Sequence, residues 1–206
     1  MMTLPISVRT PVATAVGVLV LCASVSVQAT TVLKVDVPEM VRLSEWVVLA
    51  HVTAIIPNDR TALGDRVYTD FALAIDEVYA GSKVPKIYTL SLMGGLRDDG
   101  LAVHVPGMPR LKVGQTVVLF LEKTTRGHVL CGMGQGVWQV ETTESGAQWV
   151  TQSTGHVNLM ARTPEGRIVS AQAVPTRRRR LETLVAELKA AKVLQMMLPA
   201  PAILRQ

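Results

Sequence analysis

The residue types that most often carry catalysis or bind metals are present in this chain, but they are scattered. The four histidines lack the HxH and HExxH spacings of zinc sites and stand at His51, His104, His128 and His156. On a strand, the odd offset between His128 and Cys131 directs their side chains to opposite faces. We therefore expect neither a metal nor a cofactor. An enzyme would have to assemble its site from distant residues such as Asp98, His104 and Cys131.

Residues 1–29 have the pattern of a signal peptide. Arg9 is the only charged residue there, Ala13 to Val27 carries no charge, and Val27-Gln28-Ala29 matches the small-x-small cleavage pattern. The uncharged segment is shorter than the ~20 residues that a membrane-spanning helix needs. We expect cleavage near Ala29, a secreted or periplasmic mature chain, and no transmembrane span after the signal is removed.

The positive charge of the chain is concentrated in one place. The formal net charge is +5, and Arg177, Arg178, Arg179 and Arg180 are consecutive. A charge run of this kind is usually a solvated linker, with binding to a polyanion or to the envelope surface as the alternative. Aromatic residues make up only 4% of the chain, so the stacking platform of a single-stranded nucleic acid binder is not expected.

Short apolar runs separated by turn residues predict a mainly β fold. Thr116 to Leu121 is rich in β-branched and aromatic residues and is typical of a strand buried on both faces, as is Trp46 to Ile56. Val67 to Asp76 alternates like a half-exposed strand, and the parity breaks at Glu77 to Tyr79, which predicts a bulge or a bend at that end. The core should include Phe71, Leu73, Leu119 and Leu121.

Two helices are predicted beside the strands. Pro38 to Glu45 can form a short helix with Met40, Val41 and Leu43 facing inward. Leu181, Leu184, Val185 and Leu188 follow the spacing of an amphipathic helix, which predicts a helix from about Arg180 to Met197. The predicted organisation is a signal peptide (1–29), a small OB-like antiparallel β-barrel domain (30–175), and a basic linker with the C-terminal helix and tail (176–206).

The connection from Gly94 to Arg110 is the predicted functional surface. It joins two strands and is much longer than a hairpin turn, and long connections are uncommon unless they are functional or disordered. Its apolar side chains and the stiffening Pro106 and Pro109 favour an ordered loop. The expected binding residues are Arg97, Leu101, Val103, His104, Met108 and Arg110, with Arg177 to Arg180 as a second candidate surface.

Several segments together resemble a family of uncharacterised secreted bacterial proteins. They read LSEWVVLAHVTAI, VYTDFALAIDEVYAGS, MGG, VPGMPRLKVGQTVVLFLEK and GMGQGVWQV, within Met40 to Val140. The strand order is also similar, more distantly, to the netrin-like OB barrel of the tissue inhibitors of metalloproteinases. Those inhibitors chelate the protease zinc with an N-terminal cysteine, and Thr30 stands at the expected mature start here. The resemblance therefore implies a fold, and the inhibitory mechanism does not follow from it.

The expected function is that of a secreted, non-enzymatic binding or inhibitory module whose partner is an extracytoplasmic protein, a protease among the candidates. The alternatives are an exported enzyme and a polyanion binder acting through the arginine run. One structural feature separates an enzyme from a binding module. An enzyme should have a concave pocket in which polar groups converge, whereas a binding module should have a flat or convex loop surface.

Overall fold

The computed structural model describes residues 31–63, 65–152, 157–163, 165–171 and 177–197. The predicted signal peptide and His156 lie outside these ranges. The described chain is mainly β. Its strands are β1 Thr31–Leu33, β2 Trp46–Asp59, β3 Val67–Ala80, β4 Ile87–Met93, β5 Gly95–Leu96, β6 Ala102–Val103, β7 Thr116–Thr124, β8 Gly127–Leu130, β9 Val137–Thr142, β10 Gln148–Gln152, β11 Asn158–Arg162, β12 Ile168–Ser170 and β13 Arg177–Arg180. The helices are α1 Val37–Leu43 and α2 Leu181–Met197, and 3₁₀ turns cover Thr61–Leu63 and Met133–Gly136.

One large antiparallel sheet organises the molecule. Its strand order is β13-β10-β9-β7-β2-β3-β4, and β8 pairs with the second half of β7. A smaller sheet has the order β1-β11-β12, and β5 pairs with β6. The mainly β prediction is confirmed, but the described sheets stay open, because β4 is hydrogen-bonded as a strand to β3 alone.

The two strands at the centre of this sheet are buried on both faces, as their sequences predict. Val117 through Leu121 on β7 are each fully buried. Alternate residues of β2 and β7 therefore enter two different core layers. The first layer also takes side chains from β3 and β4, and it includes the four predicted core residues Phe71, Leu73, Leu119 and Leu121.

The second layer packs the two helices against the opposite face. Met40 and Val41 of α1 and Leu184 and Leu188 of α2 belong to the same buried cluster as Trp138. The Asp36 side chain caps α1 by accepting a hydrogen bond from the Glu39 N–H at 2.9 Å. Helix α2 begins at Leu181, in agreement with the predicted start near Arg180.

One predicted inward residue of α1 points outward. Leu43 is 40% exposed, whereas Val37, Met40 and Val41 are buried. At 3.6 residues per turn, Leu43 lies about a third of a turn away from that buried stripe, and the helix ends there. The predicted bulge of β3 is confirmed, because Val47 pairs with Ala80 and Val48 with Val78, which leaves Tyr79 without a partner on β2.

Candidate functional site

The loop from Gly94 to Arg110 is fastened across one end of the large sheet. Its first part forms the short β5–β6 pair, in which Gly95 lies opposite Val103. The Gly94 N–H donates to the Val67 carbonyl at 2.8 Å, and the Thr69 hydroxyl donates to the Gly94 carbonyl, also at 2.8 Å. These bonds tie the start of the loop to β3.

The close approach to β3 depends on a glycine. Gly95 has a φ of +135°, and a Cβ at this position would lie 2.2 Å from the Thr69 hydroxyl oxygen. Only a residue without a side chain fits there without strain at this φ and without a shift of the Thr69 hydroxyl.

The second part of the loop is held from another direction. The Gly134 N–H, in the 3₁₀ turn after β8, donates to the Gly107 carbonyl at 2.9 Å. Leu111, directly after the loop, is buried in the first core layer. The loop is therefore an ordered part of the fold with attachments at both ends.

A cleft of about 390 Å³ opens between this loop and the sheet, and we call it the loop cleft. Its volume falls within the ~300–1,000 Å³ of small-molecule sites. Strands β2 to β4 and the residues that follow β4 contribute Ile55, Thr69, Phe71, Leu92, Met93, Gly94 and Gly95. The loop and its end contribute Ala102, Val103, His104, Val105, Met108, Pro109, Arg110 and Leu111. Most of the lining is apolar.

Two polar side chains of the lining contact each other. The Arg110 guanidinium donates from Nη2 to His104 Nδ1 at 3.3 Å. Because a guanidinium has no acceptor, Nδ1 must be the unprotonated nitrogen, and His104 carries its proton on Nε2. Within the described ranges, no carboxylate lies within 4 Å of the Arg110 guanidinium.

The structure brings together four of the six predicted loop residues. Val103, His104, Met108 and Arg110 line the loop cleft. Arg97 and Leu101 do not: the Arg97 side chain forms an ion pair with Asp99 at 2.9 Å, and Leu101 is 60% exposed.

The shape also differs from the flat or convex surface expected of a binding module, because the loop arches over the sheet and leaves a concave space beneath it.

The arginine run forms a strand, where the sequence analysis placed a linker. Arg177–Arg180 is β13 and pairs with β10 at the opposite end of the sheet order from the loop cleft. The sequence gives no β signal here, but the partner strands supply aromatic rings that stack on arginine. Arg178 and Arg180 each lie about 5 Å from the Trp149 ring, and Arg179 lies 4.5 Å from the Trp138 ring.

Carboxylates also neutralise this run. Arg178 contacts Glu141 at 3.5 Å, Arg180 contacts Glu182 at 3.8 Å, and Arg179 pairs with Glu187. The side chain of Arg177 lies outside the described atoms. The described arginines thus already have acidic partners, which weakens the case for a free polyanion surface.

The rival catalytic set of Asp98, His104 and Cys131 does not assemble in the loop cleft. Cys131 is fully buried in the second core layer, and this burial raises the pKa of its thiol. The Asp98 N–H donates to the Asp59 carboxylate at 3.0 Å, and only His104 lines the cleft. Among the residues described, no three His, Cys, Asp or Glu side chains are grouped so that they could hold a metal ion.

A cluster that sequence reasoning missed lies where β4 approaches β8. The His128 ring stacks on Trp46 with 3.7 Å between ring centroids, and His128 Nε2 lies 2.8 Å from Glu45 Oε2. Tyr88 Oη lies 3.3 Å both from His128 Nδ1 and from the His128 backbone nitrogen, whose N–H it accepts. We call these four residues the Glu45–His128 cluster. His128 and Cys131 do face opposite core layers, as predicted.

The chemistry of the Glu45–His128 cluster follows from its donors. A carboxylate only accepts, so His128 Nε2 carries a proton, and Nδ1 can accept from the Tyr88 hydroxyl. The hydrogen bond from His128 is the main cause that holds the pKa of Glu45 below its ordinary value, and Lys123 at 3.2 Å contributes further. Because Tyr88 is on β4 and His128 on β8, the cluster joins two strands that share no backbone ladder.

The cluster had no signal along the chain. Its members come from three separate strand ends, and no motif spacing relates them.

In the described part of the chain, no helix has the length and apolar character needed to cross a membrane. Comparisons with protein family models, with curated proteins and with solved structures found no match for this chain.

Proposed function

We propose that the protein is a secreted or periplasmic binding module without catalytic activity, and that the loop cleft is its ligand site. The observation that carries this proposal is an open concave space of about 390 Å³ whose lining is mostly apolar. The ligand is a small and mainly apolar molecule, because a concave site of this volume encloses such a molecule and offers little to a flat protein surface.

The composition of the lining favours binding over catalysis. Among the described residues of the lining, the titratable side chains are His104 and Arg110, and none carries a carboxylate or a thiol. The one hydroxyl, on Thr69, is engaged with the Gly94 carbonyl. A general base would be His104 alone, without a nucleophile or an orienting acid beside it. Concavity alone is therefore not an argument for an enzyme here.

The energetics also support a ligand. Apolar surface that leaves water contributes about 25 cal/mol per Å², so a lining that stays open to solvent gains from being covered. The walls are attached by backbone hydrogen bonds to β3 and to the turn after β8. Little conformational entropy is lost when such a preformed site is filled.

The OB-like barrel belongs to the same proposal. The contact between Tyr88 and His128 supports it, because it joins β4 to β8 and would complete a ring of strands through side chains where the backbone ladder is interrupted. In that arrangement the loop cleft lies at the opposite end of the barrel from this contact.

The test is binding of Nile red, an uncharged apolar dye whose fluorescence rises in apolar surroundings. Ala102 lines the loop cleft and is exposed, so Ala102→Trp should fill the cleft and weaken dye binding at least tenfold. Ala190 is exposed on α2, and Ala190→Trp is the matched control that should bind as the wild type does.

Urea unfolding of both variants checks that each remains folded. Two results would overturn the proposed function: a wild-type protein that does not enhance the dye fluorescence, or Ala102→Trp binding as tightly as Ala190→Trp.

A further inference from the structure

We propose that the ligand of the loop cleft is an amphiphilic carboxylate, a single-chain fatty acid, with its tail between the loop and the sheet and its carboxylate on Arg110 and His104. This inference rests on the proposed function and adds the chemical class of the ligand.

Arg110 supplies the positive charge of the site. Arg110 lines the cleft, is exposed, and has no carboxylate within 4 Å among the residues that the structure describes. The arginines of β13 differ in this respect, because Arg178, Arg179 and Arg180 each have an acidic partner. A guanidinium presents paired donors that match the two oxygens of a carboxylate. The free cation therefore favours an anion of that shape.

The neighbouring imidazole adds a second donor. Because His104 Nδ1 accepts from Arg110, the proton of the neutral ring is on Nε2, where it is free to be donated. No described residue accepts a hydrogen bond from this nitrogen. Arg110 and His104 together thus offer donors only, and an anion satisfies such a pair better than a hydroxyl or an amine does.

The apolar part of the ligand follows from the rest of the lining. Phe71 and Leu92 belong to the first core layer, and Val103, Val105 and Met108 face them from the loop. Methionine adapts to flexible apolar partners, and both Met93 and Met108 line the cleft. The volume of about 390 Å³ is at the lower end of the range for small-molecule sites, which favours one chain of medium length.

The described residues of the lining include no acidic side chain, which disfavours a cationic ligand. A cationic amphiphile would place its head beside Arg110 without any carboxylate in the lining to compensate. An uncharged alcohol would fill the apolar part but leave the guanidinium without its anion. The geometry therefore orders three ligands of equal chain length: the carboxylate binds best, then the alcohol, then the quaternary ammonium.

The experiment is displacement of Nile red from the intact mature protein by dodecanoate, dodecan-1-ol and dodecyltrimethylammonium, each below its micelle concentration. We expect dodecanoate to displace the dye at a concentration at least tenfold lower than dodecan-1-ol. Arg110→Gln should remove that preference, judged within this variant as the ratio of the two concentrations that displace the dye. Arg126→Gln, at an exposed arginine in the turn between β7 and β8, is the matched control and should keep the preference.

The outcomes separate the two proposals. If the wild type binds the dye but dodecanoate and dodecan-1-ol displace it equally, the carboxylate inference is wrong and the binding site stands. The carboxylate inference is also wrong, and the binding site stands, if Arg110→Gln keeps the preference for dodecanoate. If the dye does not bind, or is not excluded by Ala102→Trp, the proposed function itself is wrong.

Discussion

The two ends of the strands β2, β3 and β4 have opposite characters. Trp46 begins β2 and Tyr88 lies near the start of β4, and both belong to the Glu45–His128 cluster. Ile55 near the end of β2 and Met93 at the end of β4 line the loop cleft. The same strands are thus joined to β8 by stacked rings and hydrogen bonds at one end and remain open at the other.

The two ends differ in how side chains fill the space beside the strands. Stacked aromatic rings, the hydrogen bond between Glu45 and His128 and a tyrosine hydroxyl occupy the first end, and the side chains of Trp46 and His128 are largely covered. At the second end an apolar space persists although the loop above it is ordered. A concave space with a mostly apolar lining is the usual form of a small-molecule site.

The largest effect is expected in the core between the two ends. Leu119 is fully buried and pairs with Val48 on one side and Val137 on the other. Leu119→Ala should reduce the free energy of unfolding by about 2–5 kcal/mol, because a cavity remains where neighbours cannot collapse. Urea unfolding measures it, with Leu63→Ala as the control, since Leu63 is 86% exposed. A loss below about 1 kcal/mol would contradict the buried position of β7.

A smaller loss is expected where the loop meets β3. In Gly95→Ala the new Cβ meets the Thr69 hydroxyl, and the positive φ adds strain, so stability should fall by about 1–3 kcal/mol and Nile red binding should weaken. Gly114→Ala is the control, because its φ is +79° but nothing lies within 4 Å of its Cβ position. If Gly95→Ala loses no more stability than Gly114→Ala, the close contact with Thr69 is not real.

The Glu45–His128 cluster should give stability a dependence on pH. The pKa of Glu45 is lowered in the folded protein from its ordinary value of 4.5, mainly by the hydrogen bond from His128. Its contribution is therefore fully present above about pH 4.5 and is lost as the pH falls through the folded-state pKa. We expect Glu45→Gln to be less stable than the wild type at pH 7 and the gap to narrow at pH 3.

Urea unfolding at the two pH values measures this gap, and Nile red binding at pH 7 should be the same in both proteins. An equal gap at pH 7 and pH 3 would show that Glu45 does not act through its charge. A loss of dye binding in Glu45→Gln would show that the two ends are coupled.

The smallest effect on stability is expected at the wall of the loop cleft. Val103 is 39% exposed, so Val103→Ser should change the free energy of unfolding by less than about 0.5 kcal/mol. Dye binding should weaken by about threefold to tenfold, because an apolar contact is lost. Ile168→Ser alters an exposed apolar residue of β12 outside the cleft and should leave dye binding unchanged. Equal dye binding by Val103→Ser and Ile168→Ser would remove Val103 from the site.

Local patterns were sufficient to predict the strands that hold the site. The apolar runs of β2 and β7, the alternation of β3 and the length of the loop all depend on neighbours along the chain. Because the loop was located correctly, four of its predicted residues line the cleft: Val103, His104, Met108 and Arg110. The concave shape was missed because it depends on the attachments to Thr69 and Gly134, which lie outside the loop sequence.

The parts that could not be predicted depend on contacts between distant residues. His128 gave no signal beside Cys131, since its partners Glu45, Trp46 and Tyr88 are far away in the sequence. The strand β13 was missed for the same reason: four arginines have no β pattern of their own, and β10 with its Trp149 supplies the pairing.

The position of these arginines at the end of the sheet has a consequence for association between copies of the chain. Within the described ranges, β13 pairs with β10 and with no other strand, so its second edge has backbone groups without a strand partner. Such an edge invites a strand from another molecule. Arg178 and Arg180 are exposed on it, and each forms an ion pair with a carboxylate. A strand added to this edge would have to displace or desolvate these charged side chains, which disfavours growth of the sheet from one molecule to the next.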